Sequence, residues 1–248
     1  MPASDRARIR IGTSGWSYDH WKGPFYPEDL PSSEMLETYA RSFSTVEINS
    51  SFYRLPELGT LEHWRNTAPR DFLFAAKASR YITHMKKLKD PKRSSERFFE
   101  RIAVLGSKLG PILFQLPPHW GFNERRLCDF LRTLAPQYRY AFEFRDRSWL
   151  NERSYRMLAE HDACLCIYDF EGYTSPKELT TDFVYLRLHG PRAAYRGRYR
   201  KPALQKWATA ISTWAAQGKS VYCYFDNDEA GHAANDALGL RQLLEGDG

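Results

Sequence analysis

Short apolar runs that alternate with polar positions recur along the chain, separated by longer stretches with apolar residues spaced three and four apart. The first pattern belongs to strands and the second to amphipathic helices. "RIRIGTS" precedes "SSEMLETYARSF", "TVEINSSFYR" precedes "GTLEHWRNTA", and "DFLFAAKAS" precedes "SERFFERIAVLGSKLG". "PILFQLPP" leads to "NERRLCDFLRTLA", "YAFEFR" to "ERSYRMLAEHD", and "CLCIYDF" to a polar loop. "FVYLRLHG" with "PALQKWATAISTWAAQG" and "SVYCYFDND" with "GHAANDALGLRQLLEG" complete the series. Eight strands alternating with helices predict an α/β fold, a single (β/α)8 TIM-type barrel over residues 1–248. The length also admits two small domains, but no composition shift or Gly/Ser linker marks a boundary. A doubly wound open sheet is the competing arrangement; "IGTSGW" lacks the G-x-G-x-x-G loop that such sheets commonly carry after their first strand.

Strand parity then sorts the side chains, because residues i and i+2 share a face. In "YAFEFR", Tyr140, Phe142 and Phe144 are expected on the helix side, with Ala141, Glu143 and Arg145 turned to the barrel interior. The same parity turns Glu47 and Asn49 inward, then Ala75 with Lys77, and it sets Gln115 opposite Phe114 and Leu116. Asp169 shares a side with Leu165 and Ile167. Arg187 and His189 share one with Tyr185, and Asp226 one with Tyr222 and Tyr224. The polar residues gather at the C-terminal ends of the strands, where barrel active sites sit. Burying isolated charges there costs several kcal/mol each, about 3–5 once a partner is lost, so a ring of them predicts a site. A self-satisfied polar plug, with Glu47, Glu143 and Asp169 paired to Lys77, Arg145 and Arg187, is the structural alternative.

The motifs "IGTSGWSYDHWKGPFYP", "VEINSSFYR", "KASRYITHMKKL", "GPILFQLPP", "EFRDRSW", "YLRLHG" and "YCYFDND" occur in order from Ile9 to about Leu244. In this the chain resembles the YecE-like family, also called domain of unknown function family 72. The resemblance implies a TIM-barrel-like fold but no reaction. Its motif positions fall here on Trp16, Glu47, Asn49, Tyr53, Lys77, His84, Gln115, Glu143, Arg145, Trp149, Asp169, Arg187, His189 and Asn227. Two positions depart from the family pattern: Asp146 stands where "EFRH" is common, and Asp226 where "YFNN" is common.

Chemistry follows from the residue types. Glu47, Glu143 and Asp169 are candidate acid/base groups, with His189 as a proton carrier; Asp226 adds a further carboxylate. Lys77, Arg145 and Arg187 suit an anion clamp, and Trp16, Tyr53 and Trp149 suit stacking against a sugar or base. Asn49, His84, Gln115, Asp226 and Asn227, with Tyr195, Arg198 and Tyr199 from a basic loop, complete the expected substrate-binding set. A divalent metal on Glu47, Glu143, Asp169 and His189 is an open alternative, opposed by the three cations and by the lack of a close His/Asp/Glu pair; no cofactor is required. Four cysteines without C-x-x-C spacing argue against a zinc site.

Net charge of +6 and a pI of about 9.1 favour anionic partners without choosing between metabolites and nucleic acid. Two basic stretches sharpen this: "HMKKLKDPKR", and "RAAYRGRYRKP", which interleaves Tyr195 and Tyr199 with Arg196, Arg198 and Arg200. Lys201 belongs to the same interleaved set. Such interleaving suits single-stranded nucleic acid, and loops after the last barrel strands often hold phosphate. The expected function is an enzyme of the hydrolase, lyase or isomerase kind on a small anionic or sugar-like substrate. A nucleic-acid-binding or endonuclease-like protein and a non-catalytic metabolite-binding barrel are the alternatives. No run is apolar enough to span a membrane and "MPASDRARIR" lacks the core of a secretory signal, which makes the cytoplasm the expected location. Oligomeric state is left open.

Overall fold

The structure is a computed structural model that describes residues 9–246. The first eight residues, which carry most of the stretch read for a secretory signal, lie outside the described residues. In chain order the elements are β1 (Ile9–Thr13), α1 (Met35–Ser42), β2 (Thr45–Ile48), α2 (Ser50–Tyr53), α3 (Leu58–Thr67), β3 (Leu73–Lys77), α4 (Pro91–Ile102) and β4 (Leu109–Leu116). There follow α5 (Glu124–Leu131), β5 (Tyr140–Phe144), α6 (Glu152–Glu160), β6 (Ala163–Phe170), β7 (Tyr173–Thr174), β8 (Phe183–Leu188), α7 (Lys201–Ala216), β9 (Ser220–Phe225) and α8 (His232–Gly246). Eight parallel strands alternating with helices make this an α/β fold of the (β/α)8 TIM-barrel class, as the hydrophobic pattern predicts. Packing groups the chain into two compact units, a middle unit of Glu47–Cys166 and a flanking unit formed by the residues before and after it.

In the middle unit the strands run in the order β6-β5-β4-β3-β2, with Phe114 beside Phe142 and Gln115 beside Glu143. Parity decides what each face holds. Ile112, Phe114, Leu116, Tyr140, Phe142, Phe144 and Leu165 bury themselves against Phe98 and Ile102 of α4, Leu127, Phe130 and Leu131 of α5, and Leu158 of α6. Each such large side chain contributes about 1.5–3 kcal/mol through burial. Lys77, Gln115 and Glu143 hold the opposite parity and are absent from that cluster. Asn123 and Asn151 start α5 and α6 by accepting amide hydrogens from the first helical turn.

Three departures from the sequence pattern have local causes. The strand expected through "TVEINSSFYR" stops at Ile48, because Ser51 Oγ bonds the carbonyls of Ile48 at 3.0 Å and Lys77 at 2.6 Å and turns the chain into α2. The helix expected through "SERFFERIAVLGSKLG" ends at Ile102, and Gly106, at φ 56° and ψ −129°, breaks the tighter turn that follows. The polar loop after β6 folds back on it as β7, with Asp169 opposite Thr174.

In the flanking unit the order is β1-β9-β8-β6, with Arg187 of β8 beside Tyr224 of β9. Leu204, Trp207, Ile211 and Trp214 of α7 and Ala233, Ala237 and Leu240 of α8 are buried. At Gly12 a Cβ would lie 2.2 Å from the Thr45 carbonyl oxygen, so only glycine admits this approach. Among the described residues no helix is long and apolar enough to cross a membrane.

Candidate functional site

Most of the charged and polar residues among the expected site residues fall into two clusters, one in each unit. In the middle unit, Glu143 ends β5 with no exposed surface. Gln115 Nε2 donates to Glu143 Oε1 at 2.9 Å, a bond made possible because β4 and β5 run in register there. Arg145, two residues on along the same face, sets its Nε against the same oxygen. Lys77, at the end of β3 and 5% exposed, holds Nζ 4.4 Å from the centre of the Phe52 ring. His84 follows in a π-helical turn (Tyr81–Met85), edge-on to the same ring at 4.9 Å, with Nδ1 2.9 Å from Thr83 Oγ1.

Burial, then the charges of Lys77 and Arg80, push the His84 imidazole down to about 4, while Glu143 acts in the opposite sense. His84 is therefore neutral at neutral pH. It can hydrogen-bond or polarise a ligand there, but it takes up a proton only in acid. Glu47 of β2 is wholly buried, and Asn49 is half-buried with an Oδ1 that finds no hydrogen-bond partner among the described residues.

In the flanking unit, the parity of β8 and β9 brings Arg187, His189 and Asp226 together. Asp226 Oδ2 accepts from Arg187 Nη2 and from His189 Nδ1, both at 2.9 Å, and Arg187 Nη2 also donates to Ser14 Oγ at 3.2 Å. Arg187 Nη1 lies 3.3 Å from His189 Nε2. A guanidinium only donates, so Nε2 accepts and Nδ1 carries the proton. Arg187 and His189 have no exposed surface.

Asp169, at the end of β6, is half-buried. Burial raises its carboxyl above the usual aspartate range, against the opposing effects of a hydrogen bond from Tyr199 and the nearby His189. Burial and the Asp169 charge push the Tyr199 hydroxyl up in turn, so it remains a donor. Tyr199 is also held by its own amide, which donates to Asp236 Oδ2 at 2.8 Å, and its hydroxyl accepts from the Gly190 amide at 3.1 Å. Asn227 Nδ2 reaches Asp236 Oδ2 at 2.9 Å.

The three aromatics expected to stack on a ligand take different places. Trp149 is fully buried among Trp120, Phe122 and Phe144 and packs on the helix side of the middle unit. Trp16 is 7% exposed, and Tyr53, at 73%, projects from α2. Tyr195 is exposed, with its ring edge-on to Phe170 and His189. Arg198 is exposed, with Nε 3.5 Å from Asp236 Oδ1.

Two participants escape strand parity. Phe52 sits on α2, and Asp236 is a single acid on the otherwise apolar face of α8, beside Ala233, Ala237 and Leu240; that pattern was its one available signal. Among the described residues no three His, Cys, Asp or Glu side chains converge in a geometry that could hold a metal ion.

Comparison with known proteins places the chain in a family. The UPF0759 protein YunF of Bacillus subtilis is 28% identical over 271 aligned positions, spanning 96% of this chain and 95% of that protein. The UPF0759 protein YecE of Escherichia coli is 31% identical over 138 positions, 55% of this chain and 48% of that protein. The crystal structure of a DUF72 family protein from Thermotoga maritima superposes with a TM-score of 0.85 at 31% identity, covering 96% of this chain and 99% of that one. A DUF72 family protein from Enterococcus faecalis shares the fold, with a TM-score of 0.80 at 20% identity over 96% and 95% of the two chains. Residues 10–248 match the family model described as "Protein of unknown function DUF72", and the chain belongs to that family.

Proposed function

We propose that the protein is a cytoplasmic enzyme acting on a small anionic or sugar-like substrate. Glu143 is its general acid/base group, and Lys77 and Arg145 bind the substrate's negative charge. The observation that carries this reading is the composition of the middle cluster. A wholly buried carboxylate, a nearly buried ammonium, a guanidinium and a neutral imidazole share the strand ends of one unit. Apolar side chains of similar volume would stabilise the fold as well or better, by about 1–4 kcal/mol for a buried ion pair. Charges kept in such a place point to chemistry.

The roles follow from the groups. Gln115 and Arg145 fix the orientation of the Glu143 carboxylate, which exchanges a proton with the substrate. Lys77 and Arg145 offset negative charge that develops as the proton leaves, and the neutral His84 donates or accepts a hydrogen bond without gaining charge. Proton transfer of this kind is common to hydrolases, lyases and isomerases. In the flanking unit Asp169 is a second acid/base candidate, because its raised carboxyl holds a proton more readily than an ordinary aspartate.

The test is a mass-spectrometric screen of a metabolite pool against wild-type protein and Glu143→Gln. The proposal expects a phosphorylated, carboxylated or sugar-like compound to be consumed by the wild type and left intact by a folded Glu143→Gln variant. Equal turnover by the variant refutes the assignment of Glu143, and binding without product favours a non-catalytic barrel.

A further inference from the structure

The loop between β8 and α7 is fixed from below and charged above. It is tied through its two tyrosines: the Tyr195 backbone amide donates to the His189 carbonyl at 2.6 Å, and the Tyr199 side chain is buried, 2% exposed. Asn227 Nδ2 donates to the Gly197 carbonyl at 2.8 Å. Gly190, at φ 120°, closes the base of the loop, where a Cβ would lie 2.5 Å from the carbonyl oxygens of Ala193 and Arg196. These ties leave the guanidinium groups of Arg192, Arg196, Arg198 and Arg200 on the surface. All four line a hollow of about 520 Å³, in which Glu229 is the one carboxylate. That carboxylate is 3.9 Å from Arg196 Nε and half exposed, a weak counter-charge in water.

We propose that this hollow binds the phosphate groups of a small phosphorylated ligand carrying at least two negative charges, inorganic diphosphate being the simplest member of the class. This inference concerns the flanking unit alone and stands apart from the reading of Glu143. Three physical points support it. A carboxylate is matched by a single guanidinium fork, whereas four forks, of which Arg196 faces Glu229 at 3.9 Å and Arg198 faces Asp236 at 3.5 Å, keep an excess of two positive charges that matches a group with several oxygens and a higher charge. The volume lies within the ordinary range for small-ligand pockets, about 300–1,000 Å³. Arg200 occupies the cap position of α7, where the positive end of the helix dipole adds to the field and no side chain caps the helix.

The donors are the arginines and not the helix amides. Pro202 has no N–H, and the amides of Ala203 and Leu204 bond to the Arg200 carbonyl at 2.9 and 3.1 Å. Single-stranded nucleic acid fits the loop less well, because it needs aromatic faces on which bases can stack. Tyr199 is buried, the exposed Tyr195 ring stands edge-on to Phe170 and His189, and neither lines the hollow.

Isothermal titration of the full chain with inorganic diphosphate at low salt tests the proposal, using Arg192→Ala, Arg200→Ala and Glu229→Gln with circular dichroism as a check on folding. The anchoring contacts described above involve neither the Arg192 nor the Arg200 side chain. Saturable one-to-one binding is expected, weakened at least tenfold by each arginine substitution and tightened by Glu229→Gln. No binding, or binding unchanged in the two folded arginine variants, overturns the proposal. Tighter binding of a twelve-residue oligothymidylate than of diphosphate, lost in the same variants, also overturns it and assigns the loop to nucleic acid.

Discussion

His84 reports the electrostatics of the middle cluster directly. Its imidazole falls from an ordinary value of 6.5 to about 4, first through burial and next through repulsion by Lys77 and Arg80, with Glu143 opposing. That fall corresponds nominally to about 3 kcal/mol, which solvent around the partly exposed ring reduces to about 1–2 kcal/mol. Lys77→Met keeps an apolar stem against Phe52 and deletes the charge. Removing a repulsion of about 1 kcal/mol should raise the His84 value by roughly half a pH unit to one pH unit. Glu143→Gln deletes the one attractive charge and should lower it further. The assay is an NMR pH titration of the His84 ring Cε1–H signal, assigned by its loss in His84→Gln. Opposite displacements in the two variants are the signature of charges gathered around one ring; burial alone would move neither. A wild-type His84 that titrates near 6.5, or variants displaced in the same direction, would show that these charges do not surround the ring.

Other expectations follow from the same contacts. Because the folded His84 value lies below the unfolded one, the unfolded chain binds more protons between about pH 4 and 6.5; stability is full above that window and declines through it as pH falls. Urea midpoints at pH 7, 5 and 4 should therefore fall less in His84→Gln than in the wild type, and equal falls would contradict this. Asp169→Asn preserves an acceptor for Tyr199 and removes a carboxylate whose ionisation burial disfavours, so the melting temperature at pH 7 should hold or rise; a loss above about 2 kcal/mol speaks against it. Asp226→Ala takes an acceptor from both Arg187 and His189 and should cost about 3–5 kcal/mol in chemical denaturation, with Asp226→Asn milder. A loss below about 1 kcal/mol for the alanine variant would contradict the network.

Part of the arrangement of the candidate residues was legible because a strand repeats every second residue. That period puts Arg187 and His189 on one face of their strand and Asp226 on the face of Tyr222 and Tyr224, and it aligns Gln115 with Glu143 once β4 and β5 are in register. Parity fails where strands end. Trp149 follows β5 through a short turn at Arg147–Trp149 and enters the apolar core, and Tyr53 sits on a helix nucleated by the Ser51 hydroxyl. Partner choice also needs the order of strands. Arg187 bonds Asp226 because β8 lies beside β9, which no single segment reveals. Asp236 was hidden for a different reason: a lone aspartate on a helix reads as solvent-facing until the amide of Tyr199 is found against it.

The most direct test of the account is a crystal of the Glu143→Gln variant soaked in a mixture of phosphorylated, carboxylated and sugar metabolites. Density is expected for one bound compound within hydrogen-bonding distance of Lys77 Nζ or the Arg145 guanidinium, with the substituted amide side chain of β5 facing it. A compound bound elsewhere, with none at Lys77 or Arg145 and turnover undiminished in solution, would contradict it.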